Sequence, residues 1–183
     1  MECRSKVRQN EKGILLRHAT SRDAAKISSV IQASFREYKS RYTAEAFITT
    51  TPSADGIRER IKKESVTVAS RDREIVGTVS FSERSEEFYI RSMAVIPEAR
   101  GARIGELMLT HIENLARKRG LKRLVLDTTP FLTSAIRLYE RFGFQRCGTN
   151  DLSGTPLITM TKNVKSKCSG NSSRHEEPLW GSK

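Results

Sequence analysis

The chain has 183 residues and a formal net charge of +12. That length is enough for one domain of about 150 residues with short tails. No segment approaches the ~20 consecutive apolar residues of a membrane-spanning helix, and the first residues lack the apolar core of a secretory signal. The sequence therefore predicts a protein with neither a membrane span nor a secretory signal.

The cysteines indicate the cellular compartment. Cys3, Cys147 and Cys168 are odd in number and far apart in the sequence. This pattern argues against a disulfide framework and favours a reducing environment. We expect a cytoplasmic location.

The N-terminal part predicts a flexible leader, a strand and a helix. Residues 1–12 form the leader and residues 14–19 the strand. Thr20 and Asp23 match the capping box that starts a helix. The apolar residues that follow recur at helical spacing: Ile27, Val30, Ile31 and Phe35.

The next part predicts a helical region followed by three strands. Residues 42–64 have helical spacing but are broken at residues 49–53, which include Pro52. Alternating apolar residues then predict strands over 66–70, 75–81 and 88–95. Short polar turns separate these strands, so we expect an antiparallel meander.

A glycine-containing turn and an amphipathic helix follow the third strand. The turn runs from Arg100 to Gly105, and Gly120 ends the helix. The first amides of a helix have no partner within it, and glycine lets an anion approach them. The pattern favours a phosphate-binding turn, although a tight turn with a glycine packed on the sheet would give the same residues.

The remaining residues predict two further elements and a closing hairpin. Residues 121–127 are typical of a buried strand. Residues 134–142 predict a short helix that Gly143 ends. Strands are expected over 145–154 and 156–161, and the polar residues 163–183 are expected to be disordered.

Two stretches resemble the signatures of the GNAT superfamily of N-acetyltransferases. Residues 95–105 are similar to its acyl-CoA signature, Arg/Gln-x-x-Gly-x-Gly/Ala after a strand that ends in valine. Residues 135–144 are similar to its second signature, Ala-x-x-Leu-Tyr followed by Gly-Phe. The chain departs from the pattern in two places, with Arg103 where glycine is usual and Leu132 where asparagine is frequent.

The resemblance covers roughly residues 14–162 and implies one domain over 13–162. It implies an α/β (α+β) fold with a mixed, mostly antiparallel sheet of six to seven strands. About four helices would flank the sheet, and two central strands would splay apart to admit the cofactor. Acetyl-CoA is the implied cosubstrate, and no metal is expected. The implied cofactor-binding residues are Met93, Ala94, Val95, Arg100, Gly101, Ala102, Arg103, Ile104, Gly105, Thr133 and Ser134.

The resemblance also implies catalytic and acceptor-binding roles. Tyr139 matches the position of the acid that protonates the leaving thiolate, although its ring could equally fill the core. A carboxylate must take a proton from the incoming ammonium, and Glu87 is the first candidate, with a solvated turn as the alternative. Tyr38 and Tyr42 are the candidates for lining the acceptor pocket.

The predicted function is transfer of an acetyl group from acetyl-CoA to a primary amine by direct attack. The alternative is a non-catalytic module that binds or senses acyl-CoA. A weaker alternative is a nucleic-acid-binding protein, which the positive net charge suggests. The densest basic cluster, Arg117 to Arg123, lies where a helix ends, a place that favours cations. A solvated face, attraction of coenzyme A phosphates or attraction of an acidic partner would each explain it. We expect a monomer or homodimer.

Overall fold

A computed structural model describes residues 13–164 and the backbone of Arg8–Gln9. The remaining residues of the predicted leader and tail lie outside the described part of the chain. Five α-helices occur in that part: α1 Ala24–Phe35, α2 Ala44–Thr50, α3 Ala54–Lys63, α4 Ile104–Lys118 and α5 Thr133–Phe142. None of the described helices is long and apolar enough to cross a membrane.

The strands form one sheet. They are β1 Arg8–Gln9, β2 Leu15–His18, β3 Ser65–Arg71, β4 Glu74–Arg84, β5 Glu87–Val95, β6 Arg123–Thr128, β7 Gln145–Leu152 and β8 Thr155–Asn163. Their order across the sheet is β1-β2-β3-β4-β5-β6-β8-β7. Every neighbouring pair is antiparallel except β5 and β6, which are parallel. The expected fold class is confirmed. The described residues form eight strands, one of them a two-residue edge strand, where six to seven were expected, and five α-helices where about four were expected.

Helices cover the sheet on both faces. One buried cluster joins α1 and α3 to the sheet through Ile31, Ile57 and Val68. The other joins α4 to the opposite face through Met108, Ile112 and the strand residue Leu124. Two-sided burial removes most of the apolar side chains of the central strands from water, which is the dominant stabilising term of such a fold.

A bulge in β5 decides where the sheet opens. The pairing of β4 with β5 shifts by one residue near Ser92, whose φ of 51° is left-handed. Ile90 packs in the α4 cluster whereas Ala94 packs in the α1 cluster, so the bulge exchanges the faces of the following residues. The pairing of β5 with β6 ends at Ile90 and Leu126. Beyond that point the two strands separate.

The local signals agree with the sequence in most places. Asp23 accepts the Thr20 amide at 2.7 Å, which completes the predicted capping box. The 42–64 region forms two helices because Pro52 and its neighbours interrupt it, and Ser53 caps the second through the Gly56 amide. Gly120 and Gly143 follow α4 and α5 with φ of 72° and 97°, as expected of helix-ending glycines.

Candidate active-site cleft

A cleft of about 700 Å³ opens where β5 and β6 separate. It continues between the α1–α3 side of the sheet and the N-termini of α4 and α5. Twelve of the residues predicted for the site line this cleft: Tyr38, Tyr42, Met93, Ala94, Val95, Arg100, Gly101, Arg103, Ile104, Gly105, Ser134 and Tyr139. Ala102, Thr133 and Glu87 do not line it.

The turn before α4 presents free backbone donors. Within the described residues, the amides of Arg103, Ile104 and Gly105 donate to no protein acceptor. Donors left unpaired at a helix N-terminus bind anions, and the helix dipole favours negative charge there. Arg103 precedes the helix with φ 59° and ψ 23°. This is the left-handed conformation that glycine adopts without strain, so the backbone explains why glycine suits this position.

The two flanks of the turn are held by the protein. The Arg100 guanidinium donates to a Glu37 carboxylate oxygen at 2.6 Å and to the Ser34 carbonyl at 3.1 Å, and its amide donates to Pro97. Arg100 therefore ties the turn to α1. Its guanidinium is held by these protein acceptors and is not positioned for an anion. A Cβ on Gly105 would lie 2.7 Å from Leu138 Cδ2, so this glycine also allows α4 to approach α5.

The edge of β5 supplies a second row of free backbone groups. The Ile96 amide donates to the Val76 carbonyl at 3.0 Å, so that residue faces β4. Backbone groups alternate in direction along an antiparallel strand. Val95 and Met93 therefore turn their amides and carbonyls towards the side where β6 has separated.

Tyr139 projects from α5 towards the same opening. Its side chain is 7% exposed and its ring packs edge-on against Phe144 at 5.8 Å. In the described residues, no protein group hydrogen-bonds the Tyr139 hydroxyl. Burial, with a smaller contribution from Tyr42, raises the pKa of Tyr139 well above its usual range. The ring of Tyr139 thus packs in the core while the residue lines the cleft, and its role as an acid stays a prediction.

The N-terminus of α5 faces the cleft without a side-chain cap. Leu132 occupies the N-cap position and lines the cleft. The Ala135 and Ile136 amides donate to its carbonyl, whereas the Thr133 and Ser134 amides have no acceptor in the described residues. Thr133 is exposed and its side chain lies outside the cleft, but its amide belongs to this free pair.

Glu87 requires a correction. It begins β5 far from the bulge, in register with Arg123 of β6, and its carboxylate lies 3.2 Å from the Arg123 guanidinium. The strand pairing is intact at this end, so Glu87 is separated from the cleft by the closed part of the sheet. The structure does not bring Glu87 together with Tyr139.

Asp127 is a carboxylate that lines the cleft where β5 and β6 separate, and Glu106 of α4 is another lining carboxylate. Asp127 is the first residue of β6 beyond the last pairing with β5. Its two oxygens accept hydrogen bonds from the Tyr89 hydroxyl at 2.7 Å and the Thr159 hydroxyl at 2.6 Å. Burial and the bond to Asp127 raise the pKa of Tyr89 to about 12. Sequence reasoning missed Asp127, although an acidic residue that ends an apolar strand is a usable signal.

Aromatic rings form the wall on the α1 side. Tyr42 contacts Phe131 edge-on at 4.9 Å, and Tyr38 stacks on the same ring at 6.2 Å. Burial raises the pKa of Tyr42. Thr129 is 2% exposed and lines the cleft, and a hydrogen bond with its side chain partly offsets the rise in the Tyr42 pKa.

The β7–β8 hairpin closes the opposite wall. Leu152 and Leu157 of the hairpin line the cleft. The Thr43 hydroxyl donates to the Ser153 carbonyl at 2.8 Å, which fastens the hairpin to the start of α2. Elements distant in sequence therefore enclose the cleft on both sides.

The basic cluster at the end of α4 is largely neutralised. Ion pairs join four of its cations to carboxylates: Arg117 to Glu113, Arg119 to Glu83, Lys122 to Glu86 and Arg123 to Glu87. The interspersed carboxylates reduce the local positive potential, so the cluster resembles a solvated face of mixed charge.

Comparison with known proteins identifies the class to which this fold and cleft belong. The family model described as "Acetyltransferase (GNAT) family" matches residues 27–144. The chain belongs to this family.

Individual relatives agree. The probable N-acetyltransferase camello of Xenopus laevis is 34% identical over 82 residues, which is 43% of this chain and 37% of that protein. Streptothricin acetyltransferase of Streptomyces lavendulae is 35% identical over 79 residues, 42% of each chain. The matched part thus spans about two-fifths of the length of these relatives.

A solved structure shows the same fold. The PaiA N-acetyltransferase of Thermoplasma acidophilum, in complex with coenzyme A, superposes with a TM-score of 0.70. The match covers 82% of this chain and 98% of that one at 18% sequence identity. At this identity the likeness establishes the arrangement of helices and strands.

Proposed function

We propose that the protein is an N-acetyltransferase that transfers the acetyl group of acetyl-CoA to a primary amine by direct attack. The observation that carries the proposal is a single cleft that leads from the free amides before α4, through the β5–β6 opening, to the Tyr139 hydroxyl. Membership of the acetyltransferase family and the coenzyme A complex of the PaiA relative support it.

The free backbone groups along the cleft follow the same order as the polar parts of acetyl-CoA. The pyrophosphate is assigned to the amides of residues 103–105, with the exposed Arg103 side chain adding positive charge. The pantetheine amides are assigned to the edge groups of Met93 and Val95, which can pair with them as a neighbouring strand would. The amides of Thr133 and Ser134 face the same cleft and offer further polar contacts.

Two side chains handle the protons of the reaction. The amine nitrogen attacks the thioester carbonyl carbon, and the carbon–sulfur bond then breaks. Tyr139 donates a proton to the departing thiolate, which leaves better when protonated. Asp127 takes the ammonium proton that would otherwise block attack. The second nitrogen proton, which is lost as the amide forms, replaces the one that Tyr139 gave to the thiolate. The Tyr89 and Thr159 hydroxyls hold the Asp127 carboxylate in place, and this residue replaces Glu87 as our candidate base.

The experiment is amine-dependent release of free thiol from acetyl-CoA, measured over a panel of primary amines. Thiol release with a matching acetylated product supports the enzyme. A protein that is protected by coenzyme A in a thermal melt but transfers to no amine of the panel supports the alternative of a non-catalytic acyl-CoA module.

Two further expectations accompany the proposal. Ion pairing of the basic cluster supports the view that nucleic acid is not the partner, and no binding of DNA or RNA near physiological salt would agree with it. A cytoplasmic location and a monomeric or homodimeric state stay predictions that fractionation and sedimentation would test.

A further inference from the structure

Arg60 is a half-buried cation in the cleft without a carboxylate partner. It projects from α3 and donates to the Ser92 hydroxyl at 2.6 Å, at the bulge where the sheet opens. Among the described residues, no carboxylate oxygen lies within 4.0 Å of its guanidinium. Burial, followed by the nearby charge of Arg91, lowers the pKa of Arg60, and the charge of Glu64 offsets part of this shift. A guanidinium has five N–H donors, so most of its capacity is unused.

The acidic residue whose charge acts on Arg60 is Glu64, and it is held by another cation. Glu64 follows α3, and both of its carboxylate oxygens accept hydrogen bonds from Arg91, one of them at 3.0 Å. Arg91 therefore has a direct ion pair, whereas Arg60 feels the charge of Glu64 only at longer range. A partly desolvated charge without a partner is costly unless an anion joins it. The arrangement favours an anionic group of a ligand beside Ser92.

This anion site is separate from the one assigned to the cosubstrate phosphates. The free amides before α4 lie with the cluster that packs on one face of the sheet, whereas Arg60 is on α3, which packs on the other face. Arg60 and Asp127 both line the cleft at the opening of β5 and β6. A cation and a carboxylate on the acceptor side match a molecule that carries both charges.

We infer that the acceptor is an amino carboxylate, a primary amine whose own carboxylate is held by Arg60 while its ammonium group approaches Asp127. This inference rests on the proposed function and narrows its acceptor class. The nearby aromatic and apolar residues Tyr38, Tyr42 and Leu157 favour an apolar side chain on that acceptor. Free amino acids with aromatic or branched aliphatic side chains have this chemistry.

A binding measurement tests the acceptor class independently of catalytic activity. The protein is saturated with coenzyme A and titrated calorimetrically with phenylalanine, phenylalaninamide and phenethylamine, then with leucine, leucinamide and isoamylamine. We expect the two free acids to bind at least about tenfold more tightly than the amides and amines that lack the carboxylate, as charge-assisted bidentate bonds to arginine allow. The variant Arg60→Gln is expected to abolish this difference and to leave coenzyme A affinity unchanged.

The matched control is Arg58→Gln. Arg58 lies on the same helix, exposed and ion-paired with Asp55, and its loss should leave the preference for the acids intact. Equal binding of acids and amides, no binding of the acids at millimolar concentration, or an unchanged preference in Arg60→Gln would each overturn the inference. Selective binding of the acids without any thiol release would instead contradict the proposed function and retain the site.

Discussion

The Tyr89 hydroxyl donates a 2.7 Å hydrogen bond to Asp127 at the point where β5 and β6 separate. This bond and the one from Thr159 fix the carboxylate at the mouth of the cleft. Asp127→Asn removes the base, keeps a carbonyl acceptor for one of these hydroxyls and places an NH2 donor opposite the other. We expect kcat to fall about 10²-fold or more, the usual range for a general base, with unchanged coenzyme A protection in a thermal melt.

The matched control for that variant is Glu87→Gln. Glu87 is held by Arg123 at the closed end of the strand pair, so its loss should change kcat little. A large loss of activity in Glu87→Gln with near-normal Asp127→Asn would reverse our assignment of the base.

Tyr139→Phe tests the acid. The ring contact with Phe144 is retained, so stability should hardly change, whereas kcat should fall about 10²-fold. Because burial raises the pKa of Tyr139, its phenol stays protonated, and wild-type kcat should show no alkaline decline from this group below about pH 10. Equal kcat in wild type and Tyr139→Phe would remove the acid role.

Arg103→Gly tests strain in the phosphate turn. Arg103 has left-handed backbone angles, which cost a residue with a side chain about 1 kcal/mol relative to glycine. We expect Arg103→Gly to raise the free energy of unfolding by about that amount in a denaturant titration. Ala102→Gly, which has no such strain to relieve, should be neutral or destabilising. Destabilisation by Arg103→Gly would show that the contacts of the arginine side chain stabilise the fold by more than the backbone strain destabilises it.

Asp23 makes stability depend on pH. Hydrogen bonds from Arg17 hold the pKa of Asp23 below its ordinary value, and the Thr20 amide adds to this effect. A depressed folded-state pKa gives stability that is present above the unfolded-state value of about 4 and is lost as the pH falls through the folded-state value. Asp23→Asn should therefore be less stable than wild type by about 1–2 kcal/mol at pH 7, since a capping residue and an ion pair are lost together.

Measuring both proteins at low pH tests whether the charge of Asp23 causes the stability difference. Unfolding free energies of wild type and Asp23→Asn should converge as the pH falls below about 4, where wild-type Asp23 begins to lose its advantage. Asp55→Asn is the control, because its partner Arg58 is exposed and the pair is solvated. A difference for Asp23→Asn that stays constant with pH would assign the effect to packing.

Local signals explain why the fold could be predicted. The capping residues Thr20 and Asp23 and the helix-ending glycines Gly120 and Gly143 act within one or two turns of chain, so residue type determines them. The signature around Tyr139 predicted a helix there, and α5 carries this residue to the cleft. These features gave the order of the elements and the position of the cleft.

The parts that could not be predicted depend on contacts between distant residues. The bulge at Ser92 arises from a one-residue mismatch between β4 and β5, which neither strand shows alone. Arg60 meets Ser92 across 32 residues of sequence, and Asp127 meets Tyr89 across 38. Glu87 was favoured because it precedes the central strand, yet the register with Arg123 places it at the closed end.

The central claim is transfer of an acetyl group from acetyl-CoA to an amine in this cleft. The most direct measurement is thiol release with mass-spectrometric detection of the acetylated acceptor, using leucine and phenylalanine with wild type, Asp127→Asn and Tyr139→Phe. The account predicts acceptor-dependent release by wild type and about 10²-fold slower release by both variants. Transfer at the wild-type rate in both variants, or none by wild type to any primary amine, would contradict it.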